Sequence, residues 1–353
     1  MQQKIKLFIL GYYGFGNWGD ELSLRAVLGD LERIREELNL PFFYQVLYRE
    51  SDFLLPLPEN AFPLERDSFF SVLQAIKSSD YILVGGGSLL QDVTSFRSLL
   101  YYFSLLRWAQ LWNKKVIFYR VGLGPLIRRE SRFLVSRLLR KSSLSIFRDE
   151  EILNLALDLG TPSSFLGADP LFSWGGKEKK EEGEKVALFV RSFPEENREA
   201  LYRAFLRFSK VEEKRLEIVA FHPEKDREIA KDIAQYLRCP CVILSQFSQI
   251  IPYFEKLKAV FTLRLHPAIL ATLLDIPWFA LDLDPKIRAF SEWWGEENLL
   301  SFSDLEENRL EEVYQRRDIL RERGKEVKRE LKQKSEDSVK ILGEFLKNAE
   351  KVR

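Results

Sequence analysis

The sequence predicts an α/β protein built from two doubly wound, parallel-sheet domains followed by a charged helical tail, and three observations carry that expectation. Apolar runs of strand length alternate with longer amphipathic segments along most of the chain, the pattern of repeated βαβ units. Several of those runs end in glycine clusters or a single arginine, on the edge where open α/β sheets hold their ligands. The 353 residues exceed one ordinary domain, and a run of glycine and charge, Gly175 to Lys185, breaks the alternation near the middle. The expected division is a first domain over residues 1–174, a linker over 175–185, a second domain over 186–303 and a tail over 304–353.

Taken in order, residues 4–10 read as the first strand. Asp20 is placed to cap a helix that runs to about residue 38, with Leu24, Val27, Leu31, Ile34 and Leu38 along its apolar side. Further strands are expected at 42–48, 81–84, 116–119 and 144–147, with helices between several of them. The second series runs strand 186–190, helix 195–208, strand 216–221, helix 224–237 and strand 241–244. Residues 259–265 read as a buried strand, with Pro267 at the first position of a helix and a last strand ending at Asp282. From about Asp304 the chain is charged and reads as a solvated helix, with Leu305, Leu310, Val313 and Leu320 available for docking.

Charge is balanced, 54 Lys and Arg against 53 Asp and Glu, so no global field argues for nucleic acid. Residues 5–10 merge into a glycine turn, and the apolar stretch 99–112 contains Arg107 and is too short to span a bilayer. A soluble, cytoplasmic protein is expected. Residues 128–141 intersperse Arg128, Arg129, Arg132, Arg137, Arg140 and Lys141 with Phe133, Leu134, Leu138 and Leu139. That pattern fits either a solvated helix packed on the sheet or peripheral contact with the inner face of an anionic membrane. Cys239 and Cys241 form a Cys-Pro-Cys triplet with neither metal-ligand nor disulfide spacing, so ordinary thiols and no catalytic metal are expected.

The chemistry-bearing residues fall at predicted strand ends. Gly14, Gly16 and Gly19 separate the first strand from the first helix, where they serve a tight turn or the close approach of an anion. Asn17, Asp20 and Glu21 add polar groups that a plain turn does not need, and a carboxylate there could accept a hydrogen bond from a sugar hydroxyl. Gly86, Gly87 and Ser88 follow the strand at 81–84 and suit phosphate or carboxylate. Arg148 and Arg191 each end an apolar run, and the planar arginine fork binds two oxygens at once. Arg264 and His266, two residues apart at the carboxyl end of the predicted strand 259–265, would point the same way if both are extended and set a fixed cation beside a titratable proton carrier. Asp282, Asp284 and Lys286 follow the next strand.

In this order GYYGFGNWGDE, VGGGSLLQD, GLGP, RDEE, GADP, RLHPAIL and DLDPK resemble the polysaccharide pyruvyl transferase family, in particular its CsaB-like branch, over residues 11–286. Trp18 and Pro267 depart from the family pattern. The resemblance implies a GT-B-like pair of Rossmann-like domains, the first on the acceptor side and the second on the donor side. It implies transfer of pyruvate from phosphoenolpyruvate to a sugar of a cell-surface polysaccharide precursor, carried on a lipid, to form a ketal in cell-wall biosynthesis. No cofactor beyond that donor is implied. The Arg-x-His unit maps to Arg264 and His266, with His266 as general acid and Asp20 orienting hydroxyls. The competing readings are a GT-B glycosyltransferase using a nucleotide sugar and a sugar-binding protein without turnover.

Overall fold

The computed structural model describes residues 4–49, 56–93, 95–174, 183–211, 215–306 and 309–351. The chain divides into two compact units, one of residues 1–15, 20–174 and 331–353, the other of residues 16–19 and 175–330. Most of the expected linker lies outside the described residues.

The first unit holds a seven-stranded sheet of β1 (Ile5–Tyr13), β2 (Phe42–Tyr48), β3 (Ala61–Glu65), β4 (Tyr81–Gly85), β5 (Lys115–Val121), β6 (Leu144–Phe147) and β7 (Ser164–Leu166) in the order β3-β2-β1-β4-β5-β6-β7. Every pairing is parallel. Parallel strands are covered on both faces, which is why β4 is an unbroken apolar run and why β4 and β6 are buried at every position. Val84, Val116 and Phe118 share one core with Leu99, Leu105 and Leu106 of helix Phe96–Leu111 and with Val135, Leu138 and Leu139 of helix Arg129–Leu139. The strand order reverses between β1 and β4, so the loops that follow them diverge at that seam. The edge strands β3 and β7 escape the sequence reading because one carries Pro63 and the other has three residues.

The second unit holds β8 (Lys185–Val190), β9 (Arg215–Ala220), β10 (Cys241–Ile243), β11 (Leu257–Thr262), β12 (Trp278–Leu281) and β13 (Leu299–Leu300), all parallel, in the order β10-β9-β8-β11-β12-β13. Its reversal lies between β8 and β11. Both units are thus doubly wound Rossmann-like sheets, as expected.

Two local expectations need correction. The first helix spans Trp18–Leu38, so Asp20 sits in its first turn and does not cap it. Trp18, where the family pattern differs, is 1% exposed and donates from Nε1 to the Leu244 carbonyl at 2.6 Å. An anchored indole of that size starts the helix early. The tail is not merely solvated: Leu305, Leu310, Val313 and Leu320 are all buried. The last helix, Arg317–Lys351, also buries Val327, Leu331, Val339, Leu342 and Leu346 at helical spacing.

Arg120 explains how the later part of that helix is tied down. It is fully buried at φ 55° and pairs with Asp30 Oδ2 at 2.9 Å. It also donates to the Pro170 carbonyl at 3.0 Å and to Ser335 Oγ at 2.8 Å. One guanidinium thereby satisfies groups on three elements of the first unit. Among the described residues no helix is long and apolar enough to cross a membrane.

Candidate active site

Each unit gathers polar side chains at the carboxyl ends of its strands. In the first unit the loop after β4 carries Gly86 and Gly87 at φ 66° and 63°, a left-handed conformation that glycine adopts without a Cβ clash. The turn brings its backbone against the first helix: a Cβ on Gly87 would stand 2.9 Å from Asp20 Oδ1, and one on Gly86 would stand 2.7 Å from Ser23 Cβ. Gly122 N–H donates to the Gly87 carbonyl at 2.7 Å and Arg148 N–H to the Val121 carbonyl at 3.3 Å, so the loops after β4, β5 and β6 are stitched together.

At the centre of this group lies Ser88. Its hydroxyl oxygen is buried with no hydrogen-bond partner among the described residues. A Cβ on Gly122 would fall 2.1 Å from that hydroxyl and 3.1 Å from the Arg148 guanidinium, so only glycine lets the two approach one spot. A buried hydroxyl left unsatisfied calls for an oxygen or N–H from outside the chain. The sequence identifies no ion partner for Arg148; in the fold its Nε lies 3.2 Å from Asp149 Oδ2 and its Nη1 4.0 Å from Asp169 Oδ2. Neither contact is two-pronged, and the contacts hold the guanidinium beside Ser88. Asp149 also caps its helix, accepting from Ile152 N–H at 3.0 Å.

Glu21 is different. Its Oε1 accepts from Gly14 N–H at 2.7 Å and its Oε2 from the Tyr48 hydroxyl at 3.1 Å. Burial, reinforced by neighbouring Asp20, pushes its carboxyl up to about 8. The sequence offered Glu21 as a substrate contact; the structure uses it to fasten the glycine turn. Asn17 is half-buried and falls with the second unit.

In the second unit β11 stops at Thr262, three residues earlier than expected. Thr262 Oγ1 accepts from Arg264 N–H at 2.9 Å and donates to the Arg264 carbonyl at 2.8 Å, which turns the chain out of the sheet. Arg264 is the N-cap of helix Leu265–Leu273 and His266 its second residue, so the two are not alternate positions of one strand. Pro267 is third in the helix and not first, still within the turn whose N–H groups have no helical acceptor.

Arg264 is not a free fork either. Its Nε donates to Asp226 Oδ2 at 2.6 Å and its Nη2 donates to Oδ1, and the Asp226 side chain is 1% exposed. Asp226 Oδ2 also accepts from His222 N–H at 2.9 Å. The His222 ring takes the Lys225 N–H at Nδ1, 3.5 Å away, and its Nε2 is buried without a partner among the described residues. Burial, followed by the positive charges of Arg264 and Lys225, pushes His222 down to about 3. The ring is neutral near pH 7, with its proton on Nε2 as a donor. Sequence reading passed over His222 and Asp226, although they follow β9 as Arg264 follows β11.

His266 packs directly on backbone: a Cβ on Gly19 would sit 2.0 Å from its Nδ1 and 2.4 Å from its Cγ. Arg191, after β8, pairs through Nη1 with Asp284 Oδ2 at 2.8 Å, and Asp284 Oδ1 accepts from Lys286 N–H at 3.0 Å. Arg191, Asp284 and Lys286 therefore form one group, while Asp282 pairs with Arg288. The neighbouring positive charges hold the Asp284 carboxyl below its ordinary value against its burial.

Comparison with solved structures first defines the class. The chain is similar to the UDP-N-acetylglucosamine 2-epimerase of Neisseria meningitidis solved with UDP-GlcNAc, at TM-score 0.62 and 13% identity over 98% of this chain and 100% of that one. It is similar to S. aureus MnaA solved with UDP, at TM-score 0.60 and 12% identity over 92% and 90%. Acinetobacter baumannii MurG follows at TM-score 0.52 and 10% identity over 98% and 99%. At such identities the likeness is one of fold, and the fold is GT-B-like. No curated protein sequence matches the chain. The sequence model of the family described as polysaccharide pyruvyl transferase matches residues 17–285, and the chain belongs to that family. It is accordingly a transferase.

Proposed function

We propose that this transferase takes pyruvate from phosphoenolpyruvate and joins it as a ketal to two hydroxyls of a sugar in a cell-surface polysaccharide precursor. The observation that carries the reading is the group around Arg264. A buried carboxylate aims one guanidinium, a neutral imidazole offers an unused Nε2–H beside it, and a second imidazole stands in the first turn of the helix that follows. Phosphoenolpyruvate presents a carboxylate and a phosphate, oxygens suited to these donors and to helix N–H groups.

In this reading the second unit is the donor side, with Arg264 and the Arg191 and Lys286 group holding the donor. The first unit is the acceptor side, where Asp20 orients sugar hydroxyls and Ser88, Arg148 and the loop of Gly86 and Gly87 meet acceptor oxygens. His266 gives a proton to the donor's methylene carbon. One sugar hydroxyl attacks the adjacent carbon and loses its proton to a carboxylate. Inorganic phosphate then leaves with the bonding pair of its C–O bond, and the second hydroxyl closes the ketal as its proton passes to the His266 imidazole. His222 does not serve as the proton donor near neutral pH, since its ring carries no extra proton there.

The test incubates the protein with phosphoenolpyruvate and a panel of saccharide acceptors in deuterated water. Phosphate release with deuterium in the product methyl group is expected, and His266→Gln should keep donor affinity while losing roughly 10²- to 10⁴-fold in turnover. Nucleotide release from a UDP-sugar without phosphate release from phosphoenolpyruvate would establish the glycosyltransferase reading instead.

A further inference from the structure

We infer that helices Phe96–Leu111 and Arg129–Leu139 of the first unit form a docking face for the surface of an anionic lipid bilayer. The charge distribution is the first argument. Between Phe96 and Lys141 the chain holds eleven Lys or Arg and one acid, Glu130, although the whole chain nets only +1. A local excess of ten positive charges is thus balanced by acid elsewhere. Arg120 spends its charge in the core. Arg128, Arg129, Arg132, Arg137 and Arg140 are exposed, with no carboxylate in an ion pair with them among the described residues.

The second argument is what lies between those charges. The buried side of helix Arg129–Leu139, Val135 with Leu138 and Leu139, is already used by the sheet, so its apolar periodicity needs no membrane. The outer side nevertheless presents Phe133 at 61% exposure, and Ile127 just before the helix stands at 73%. Asp92 holds that approach firmly, accepting from Ile127 N–H and Arg128 N–H at 2.8 Å each. Gln110 Nε2 donates to the Leu138 carbonyl at 2.8 Å and joins the two helices into one surface, where Leu111 and Trp108 are also exposed. Large apolar side chains set among unpaired arginines complement an interface of anionic headgroups over acyl chains. A purely polyanionic partner such as nucleic acid would use the arginines and leave Ile127 and Phe133 idle.

Cosedimentation of the full chain with vesicles tests this. Vesicles of phosphatidylcholine alone are compared with vesicles containing about one-third phosphatidylglycerol, at low and high salt. Binding is expected only with the anionic lipid and only at low salt. Arg128, Arg129 and Arg132 together changed to Gln should weaken it about 100-fold, at about fivefold for each charge. Ile127→Ser with Phe133→Ser should weaken it about tenfold or more with all charges intact. All five side chains are exposed, so the variants keep the fold, which circular dichroism verifies. Absence of binding to anionic vesicles, or binding indifferent to the arginine changes, overturns the proposal. Binding that loses affinity with the arginines but not with Ile127 and Phe133 overturns it in favour of a soluble polyanion. None of these readouts depends on the identity of the pyruvate donor.

Discussion

Replacing Gly19 by alanine perturbs His266 without touching its chemistry. The built Cβ would meet the imidazole Nδ1 at 2.0 Å, and ordinary contact begins near 3.4 Å, so the ring must retreat by about 1.4 Å or rotate away. A displacement of about 1 Å in a reacting group can cost roughly 10²-fold in rate. Turnover of Gly19→Ala should therefore fall by about that factor or more. Phosphoenolpyruvate affinity should stay near wild type, because Arg264 is aimed independently by Asp226. The same helix supplies its own control. A Cβ on Gly29 meets nothing within 4 Å, so Gly29→Ala should leave activity unchanged and stabilise the helix by roughly 0.5–1 kcal/mol. The assay is steady-state phosphate release beside calorimetric donor binding and thermal unfolding. A folded Gly19→Ala protein with wild-type turnover would refute the role of His266, and equal loss of binding and turnover would refute the division of labour between Arg264 and His266.

Three further outcomes follow from the geometry. Glu21 titrates near 8 when folded and near the ordinary 4.5 when unfolded, so the folded state binds more protons between those values and stability falls as pH rises through that window. Glu21→Gln should flatten the decline and raise the melting temperature at pH 8 to 9, the full effect being no more than roughly 5 kcal/mol; lower stability than wild type at pH 9 would contradict this. Arg148→Lys and Arg191→Lys keep charge but lose the fork, and each should raise a substrate KM or lower kcat by at least about tenfold; two variants with unchanged constants would show that the strand-end arginines are structural. Arg120→Met strands Asp30 in the core and should destabilise by about 3–5 kcal/mol, measured by urea unfolding; a change under about 1 kcal/mol would mean that the hub is replaceable by packing.

Much of the fold is legible in the sequence because buried parallel strands leave nearly continuous apolar runs, as β4 and β12 do. The loops after them were legible for a related reason: glycine at Gly86 and Gly87 marks backbone that other residues avoid. Edge strands β3 and β7 lack that signature. The end of β11 was misread because residues 259–265 are apolar apart from Thr262 and Arg264, and the turn depends on two hydrogen bonds of one threonine hydroxyl. The tail was misread because its mean charge conceals a buried stripe.

The sequence by itself determined the alternation of strands and helices, the division into two sheets and the residue types at strand ends, since these follow from periodicity and local conformational preference. Only the tertiary structure decided which of those residues share a place. Asp226 lies 38 positions from Arg264 and Asp284 lies 93 from Arg191, yet each fastens its arginine. Glu21 proved to be a brace and Ser88 an unsatisfied donor for the same reason. Ion pairing, desolvation and close contact depend on distance through space, and pairs so far apart along the chain leave no periodic trace in it.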